Sequence, residues 1–249
     1  MNRTGEINYN NFGSKMIISV YRNTRDIDIY FPEYDWTKRS DYKNFKKGSI
    51  ICPYERRFKG VGYLGEGKYK FRENNKETRC YHEWMKILER GYSKLWKEKH
   101  PTYEDVYVCE EWHNFQNFAK WYYNNYYSIN EERMEIDKDI LYKNNKIYSP
   151  DTCIIVPQRI NNLFVKTNSK RGNFPIGVHR HKNGNYVAQC EFNDSRKRYL
   201  GCYPTVEEAF NIYKMEKEKY IKQVADKYKS YIPEKLYDAM YKYEVEIND

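Results

Sequence analysis

Two stretches of the chain concentrate side chains with chemical capability. The first is Asp137-Lys138-Asp139, followed by Tyr148-Ser149-Pro150-Asp151-Thr152-Cys153-Ile154-Ile155-Val156 and then Asn161-Asn162. It sets carboxylate and amide oxygens, which are hard donors, beside a cation. From the residues alone, Asp137 and Asp139 are either such donors or solvated turn carboxylates. The second stretch, 166–198, carries eight Lys or Arg against Glu191 and Asp194, an excess that suits a polyanionic partner. The six cysteines (Cys52, Cys80, Cys109, Cys153, Cys190, Cys202) include no C-x-x-C pair. No structural zinc is therefore expected, and the thiols read as packed rather than disulfide-linked.

These groups need rigid mounts. Met134-Glu135-Ile136 and Cys153-Ile154-Ile155-Val156 read as strands around a polar loop with Asn144-Asn145, and a helix is expected over 157–164. Pro157 suits its first turn, where the missing N–H has no intrahelical partner. Beyond a basic linker, strands are expected around 177–181, 185–192 and 197–202, with Lys182-Asn183-Gly184-Asn185 as a hairpin turn. Thr205-Val206-Glu207-Glu208 is a capping box. The helix after it is expected to bury Val206, Ala209, Phe210, Tyr213, Tyr220 and Val224, and a last helix to open at Pro233. Upstream, Tyr81, Trp84, Met85, Leu88, Tyr92 and Leu95 recur at helical steps and predict one apolar stripe; Phe115, Phe118 and Tyr122 predict a second. Between 15 and 64 short alternating runs predict a small antiparallel β-module, a scaffold or docking unit without catalytic signature. Residues 1–12 are expected to be loose.

The first stretch resembles the ββα-metal finger of phage HNH homing endonucleases. In that family an Asp-His pair ends the first strand and an Asn lies on the helix. Asp and Asn hold one divalent metal against the scissile phosphate, and the His takes a proton from the attacking water. The resemblance implies Asp137 and Asn161 as ligands of one Mg²⁺ or Mn²⁺ ion, and Asp137, Lys138 and Asn161 as the catalytic set. Two positions depart from the pattern: Lys138 replaces the general-base His, and Thr152 replaces a loop-bracing Asn. A Lys of ordinary pKa, about 10.4, accepts no proton at pH 7 unless burial lowers that value. Lys138 could instead grip the phosphate, with His113 or His82 as substitute base. Tyr81-His82-Glu83-Trp84, Arg90-Gly91-Tyr92 and Val108-Cys109-Glu110-Glu111-Trp112-His113-Asn114-Phe115 also resemble the region before the finger, so the likeness spans about 79–165.

Residues 176–224 resemble the Apetala-type, ethylene-response-factor DNA-binding domain, which phage homing endonucleases also carry. The matching residues are Gly177-Val178-His179-Arg180, Tyr186-Val187-Ala188, Arg198-Tyr199-Leu200-Gly201-Cys202-Tyr203 and Thr205-Val206-Glu207-Glu208-Ala209-Phe210. That family lays a three-stranded sheet in the major groove. The resemblance implies His179, Arg180, Tyr186, Gln189, Glu191, Arg198 and Tyr199 at base edges, where Arg suits guanine, Gln adenine and Glu cytosine. Lys166, Lys170, Arg171, Lys182, Arg196 and Lys197 would neutralise phosphates. Tyr186 and Tyr199 stand where the family has strand Trp residues.

The 249-residue chain carries a formal charge of +9, and 28 Tyr and 11 Phe account for much of its hydrophobic fraction. Mean hydropathy is −1.04, and no apolar run approaches the ~20 residues that span a bilayer, so no membrane partner is expected. Met1-Asn2-Arg3-Thr4-Gly5-Glu6 lacks a secretory pattern, so a cytoplasmic location is expected, that of the host cell if the chain is phage-encoded. The expected fold is α+β: a β-module (13–65), an HNH-like domain (79–165) and a sheet-and-helix DNA-binding domain with C-terminal helices (173–249). The leading expectation is a homing-type endonuclease acting on double-stranded DNA. The alternative is a DNA-binding phage protein, a regulator or anti-host factor, on a degenerate finger. A third class is a protein-binding phage effector that mimics or blocks a nucleic-acid enzyme; a charge of +9 argues against acidic DNA mimicry.

Overall fold

Alternation builds the first sheet. In the strand Lys15–Asn23, Met16 and Ile18 point inward, and in Asp26–Phe31 so do Ile27, Ile29 and Phe31, the period of two that a pleated strand imposes. The computed structural model describes residues 2–165, 174–192 and 197–249. In chain order its elements are β1 (Ile7–Tyr9), β2 (Lys15–Asn23), β3 (Asp26–Phe31), β4 (Trp36–Ser40), α1 (Tyr42–Lys47), β5 (Arg72–Glu73), β6 (Lys76–Glu77), α2 (Arg79–Tyr92), α3 (Lys94–Lys99), β7 (Tyr107–Val108) and α4 (Phe115–Asn125). There follow β8 (Met134–Asp137), β9 (Ile147–Tyr148), β10 (Ile154–Pro157), α5 (Gln158–Asn161), β11 (Val178–Arg180), β12 (Tyr186–Glu191), β13 (Lys197–Tyr203), α6 (Val206–Tyr228) and α7 (Glu234–Tyr241). The class is α+β, as expected. Contacts divide the chain into two units, one running to Asn124 and taking in Lys146–Ser149, the other holding Asn125–Asn145 and Pro150 onward.

In the first unit β1 to β4 form an antiparallel meander in sequential order over a core of Met16, Ile18, Ile27, Ile29, Phe31, Phe45, Ile50 and Cys52. The expectation that residues 1–12 are loose is corrected: Ile7–Tyr9 pairs with β2, Ile7 opposite Ile17. Asp41 caps α1, its side chain accepting from Asn44 N, and Gly48 ends it with φ at 66°. A Cβ on Gly48 would stand 2.8 Å from the Tyr9 carbonyl oxygen, so position and conformation both require glycine.

Helix α2 buries Tyr81, Trp84, Ile87 and Leu88, and Trp84 Nε1 donates to the Trp112 carbonyl at 2.7 Å. Leu95 leaves the predicted stripe and is 71% exposed. The chain breaks at Ser93, whose hydroxyl accepts from Trp96 N and starts the separate helix α3, so the periodicity does not continue.

In the second unit β8 and β10 pair antiparallel, Asp137 opposite Ile154 and Met134 opposite Pro157. The helix expected over 157–164 is a single turn, α5, with Pro157 as its N-cap and Asn161 its last residue. Ile140, Ile154, Val156 and Ile160 share one core with Ile221, Val224 and Ala225 of α6 and Leu236 and Met240 of α7. The far end of α6 therefore packs the finger, while its first turns pack the C-terminal sheet.

Candidate nucleic-acid interface

The C-terminal sheet runs β11-β12-β13, all antiparallel, on the first half of α6. The capping box at Thr205 and Glu208 is formed in both directions and fixes where α6 begins. Ala209, Phe210 and Tyr213 of that helix meet Val178, Ala188, Cys190 and Phe192 of the sheet. Gly177, at φ 78°, lies so close to Tyr213 that any Cβ would collide with the ring. This is the physical reason for glycine before Val178: sheet and helix approach through its missing side chain.

Strand register sorts the candidate residues onto two faces, because directly opposed residues project to the same side. Val178 lies opposite Ala188 and Arg180 opposite Tyr186, whereas His179 lies opposite Val187. A bulge between Ala188 and Gln189 resets the next pairing, so Gln189 faces Tyr199, Cys190 faces Arg198 and Glu191 faces Lys197. His179, Gln189, Glu191, Lys197 and Tyr199 thus share the face turned away from α6, with Tyr199 68% exposed.

Arg180, Tyr186 and Arg198 share the parity of the helix-packed residues. Tyr186 is half-buried against the core, edge-on to Phe174 at 5.8 Å. The Arg198 guanidinium lies over the Phe192 ring, 4.5 Å from its centroid. Of the seven expected base readers, four are together on the open face and these three are not. Lys182 is exposed in the hairpin turn. Lys166, Lys170, Arg171 and Arg196 lie outside the described residues. Lys197, assigned above to phosphates, stands among the open-face residues. Its alternation with Arg198 was a legible signal, but the direction of the alternation depends on the bulge.

The finger residues close a turn and a loop. Asp137 Oδ1 accepts from the backbone N–H of Asp139 and of Ile140, 2.7 Å each, closing the turn that leaves β8. Burial pushes the Asp137 carboxyl above the usual carboxylate range, against the lowering effect of the Ile140 N–H. Lys138 is 7% exposed. Its ammonium donates to Asp139 Oδ1 and Oδ2 at 2.9 and 2.8 Å and to the Asn145 carbonyl at 2.6 Å, while Asn145 Nδ2 returns a bond to the Lys138 carbonyl. Lys138 is therefore a brace across the 138–145 loop, with its donors already engaged. The segment after α7 returns to this region: the Tyr243 ring is edge-on to Phe164 at 4.7 Å, and Lys143 pairs with Glu246 and Asp249.

Asn161 is half-buried at the end of α5. Asp137 and Asn161 can offer at most two side-chain ligands, and one Asp137 oxygen already closes a turn. Among the described residues no group of three His, Cys, Asp or Glu is placed to hold a metal ion. His113, in the first unit, pairs Nε2 with the Tyr92 hydroxyl at 2.8 Å, and burial lowers its pKa. His82 is exposed, 3.7 Å from Glu77. The six cysteines are free thiols; burial pushes Cys52 up to about 11 and Cys80 higher still, so neither is a thiolate at neutral pH. No helix among the described residues is long and apolar enough to cross a membrane.

No family model matches the chain, and no curated protein or solved structure matches it.

Proposed function

We propose that this chain binds double-stranded DNA with the open face of its three-stranded sheet, and that the finger serves that unit as a scaffold. The observation that carries the reading is the grouping of His179, Gln189, Glu191, Lys197 and Tyr199 on one face backed by α6. Gln is a bidentate partner for adenine and Glu an acceptor from cytosine, and a β-ribbon fits the width of the major groove. Lys182, in the hairpin turn, stands where a phosphate contact would set register.

Metal-dependent cleavage at the finger, the activity of an HNH-type homing endonuclease, is the second reading. It is favoured by Asp137 ending one strand while Asn161 closes the helix that follows the paired strand. It is disfavoured by the engagement of Lys138 with three oxygens.

The deciding experiment combines a gel-shift salt series with a nicking assay in Mg²⁺ or Mn²⁺, using wild type and Asp137→Asn. Asn keeps an oxygen for the two turn N–H groups while removing the charge. Expected are a shifted band that weakens steeply with salt and no nicking by either protein. Nicking by wild type alone would establish the second reading. Binding that is absent, or that ignores salt, would overturn both.

A further inference from the structure

On the open face of the C-terminal sheet two cross-strand pairs stand side by side. Gln189 of β12 is opposed to Tyr199 of β13, and two residues further along β12 Glu191 is opposed to Lys197. Directly opposed side chains of an antiparallel pair lie about 4.5–5.5 Å apart at Cβ, close enough to address one base pair together. Glu191 and Lys197 are both exposed. Among the described residues none of the four side chains makes a hydrogen bond or an ion pair, so Glu191 and Lys197 do not neutralise each other although they are neighbours.

A carboxylate facing DNA is repelled by the phosphates unless it meets a donor. In the major groove those donors are amino groups, and the edge of a C·G pair sets the cytosine N4 donor beside the O6 and N7 acceptors of guanine. Glu191 with Lys197 has the complementary order, an acceptor on β12 and a donor on β13. The neighbouring pair complements A·T. Gln189 can accept from adenine N6 and donate to N7, and the Tyr199 ring suits the apolar thymine methyl.

Strand geometry sets the spacing between the two. Residues i and i+2 of an antiparallel strand are about 6.8 Å apart along it. Successive bases of one DNA strand are about 3.4 Å apart along the axis, so the two side chains fall two base pairs apart when the ribbon follows the groove. We infer that the β12–β13 ribbon selects a duplex in which an A·T pair and a C·G pair are separated by one base pair. Adenine and cytosine lie on the same DNA strand, because Gln189 and Glu191 lie on the same β-strand. This specifies the target of the duplex binding proposed above and rests on that reading.

Selection from randomised duplexes with the full chain, followed by titration on the selected site, tests the assignment. Wild type should enrich adenine and cytosine one nucleotide apart on one strand, in either order. Changing either base pair should weaken binding roughly 5- to 150-fold. Glu191→Gln should convert the cytosine preference to adenine and leave the other position fixed, a gain that a misfolded variant cannot produce. Lys197→Ala should relax the base pair that Glu191→Gln alters, and Tyr199→Ala the one that Gln189→Ala relaxes. Three results would overturn the assignment and leave duplex binding standing: salt-dependent binding without that enriched pattern, variants of one cross-strand pair acting at different base pairs, or affected positions that are not two apart. Absence of duplex binding would overturn both.

Discussion

Gln189→Ala and Arg198→Ala lie on opposite sides of the same sheet, and their comparison tests the face assignment directly. Gln189 is opposite Tyr199 on the face away from α6. Removing a bidentate base contact costs about 1–3 kcal/mol at the base concerned, roughly 5- to 150-fold in Kd. Arg198 lies over Phe192, on the helix side, where a cation–π contact contributes about 0.5–1 kcal/mol to folding. Reaching a base edge on the open face would take it off that ring. Selection from randomised duplexes should first yield a preferred site, and the two variants should then be titrated on that site and on single-base changes of it. The expected result is that Gln189→Ala weakens binding and loses preference at one base pair. Arg198→Ala should shift the urea midpoint slightly and keep the wild-type preference. If Arg198→Ala relaxes preference at one position while Gln189→Ala changes nothing, the face assignment from register is refuted.

Three further outcomes follow from the packing. Asp137 carries a carboxyl whose pKa burial raises, so its neutral form favours the fold and its ionised form opposes it. The contribution is present below the ordinary carboxylate pKa of about 4 and lost as pH rises through the higher folded value. Asp137→Asn should therefore raise Tm at neutral pH and lose that advantage in acid; a variant less stable than wild type at pH 7 would mean that the charge is compensated. Gly177→Ala should cost about 1–2 kcal/mol from its positive φ alone, and more from collision with Tyr213, read as a lowered urea midpoint. Leu236 is fully buried in the core shared by finger and α7, so Leu236→Ala should cost about 2–5 kcal/mol. All five tryptophans lie at or before position 121, in the first unit. The Leu236→Ala loss should accordingly appear in amide exchange of β8, β10 and α6 while the tryptophan fluorescence transition stays put; equal movement of both would show that the units melt together.

Elements whose signals are local can be read from the chain alone. Alternation in Met16–Ile18 and Ile27–Phe31, the capping box at Thr205 and the turn at Asn183-Gly184 each act within a few residues, and each stands in the structure where the pattern places it. Ser93 is also a legible N-cap residue inside a helical stripe; because it starts α3, the stripe ends before Leu95, which is exposed. Tertiary structure alone decided three things. The bulge at Ala188 and Gln189 set which face Arg198 and Tyr199 occupy, since one extra residue inverts everything beyond it. The partner of Lys138 is the adjacent Asp139 together with a carbonyl seven residues on, a choice fixed by how the 138–145 loop closes. The finger's core is completed by Ile221, Leu236 and Met240, more than fifty residues away in sequence. A four-residue strand pair and a single helical turn bury too little apolar surface to stand alone, and no local pattern says which distant helix will cover them.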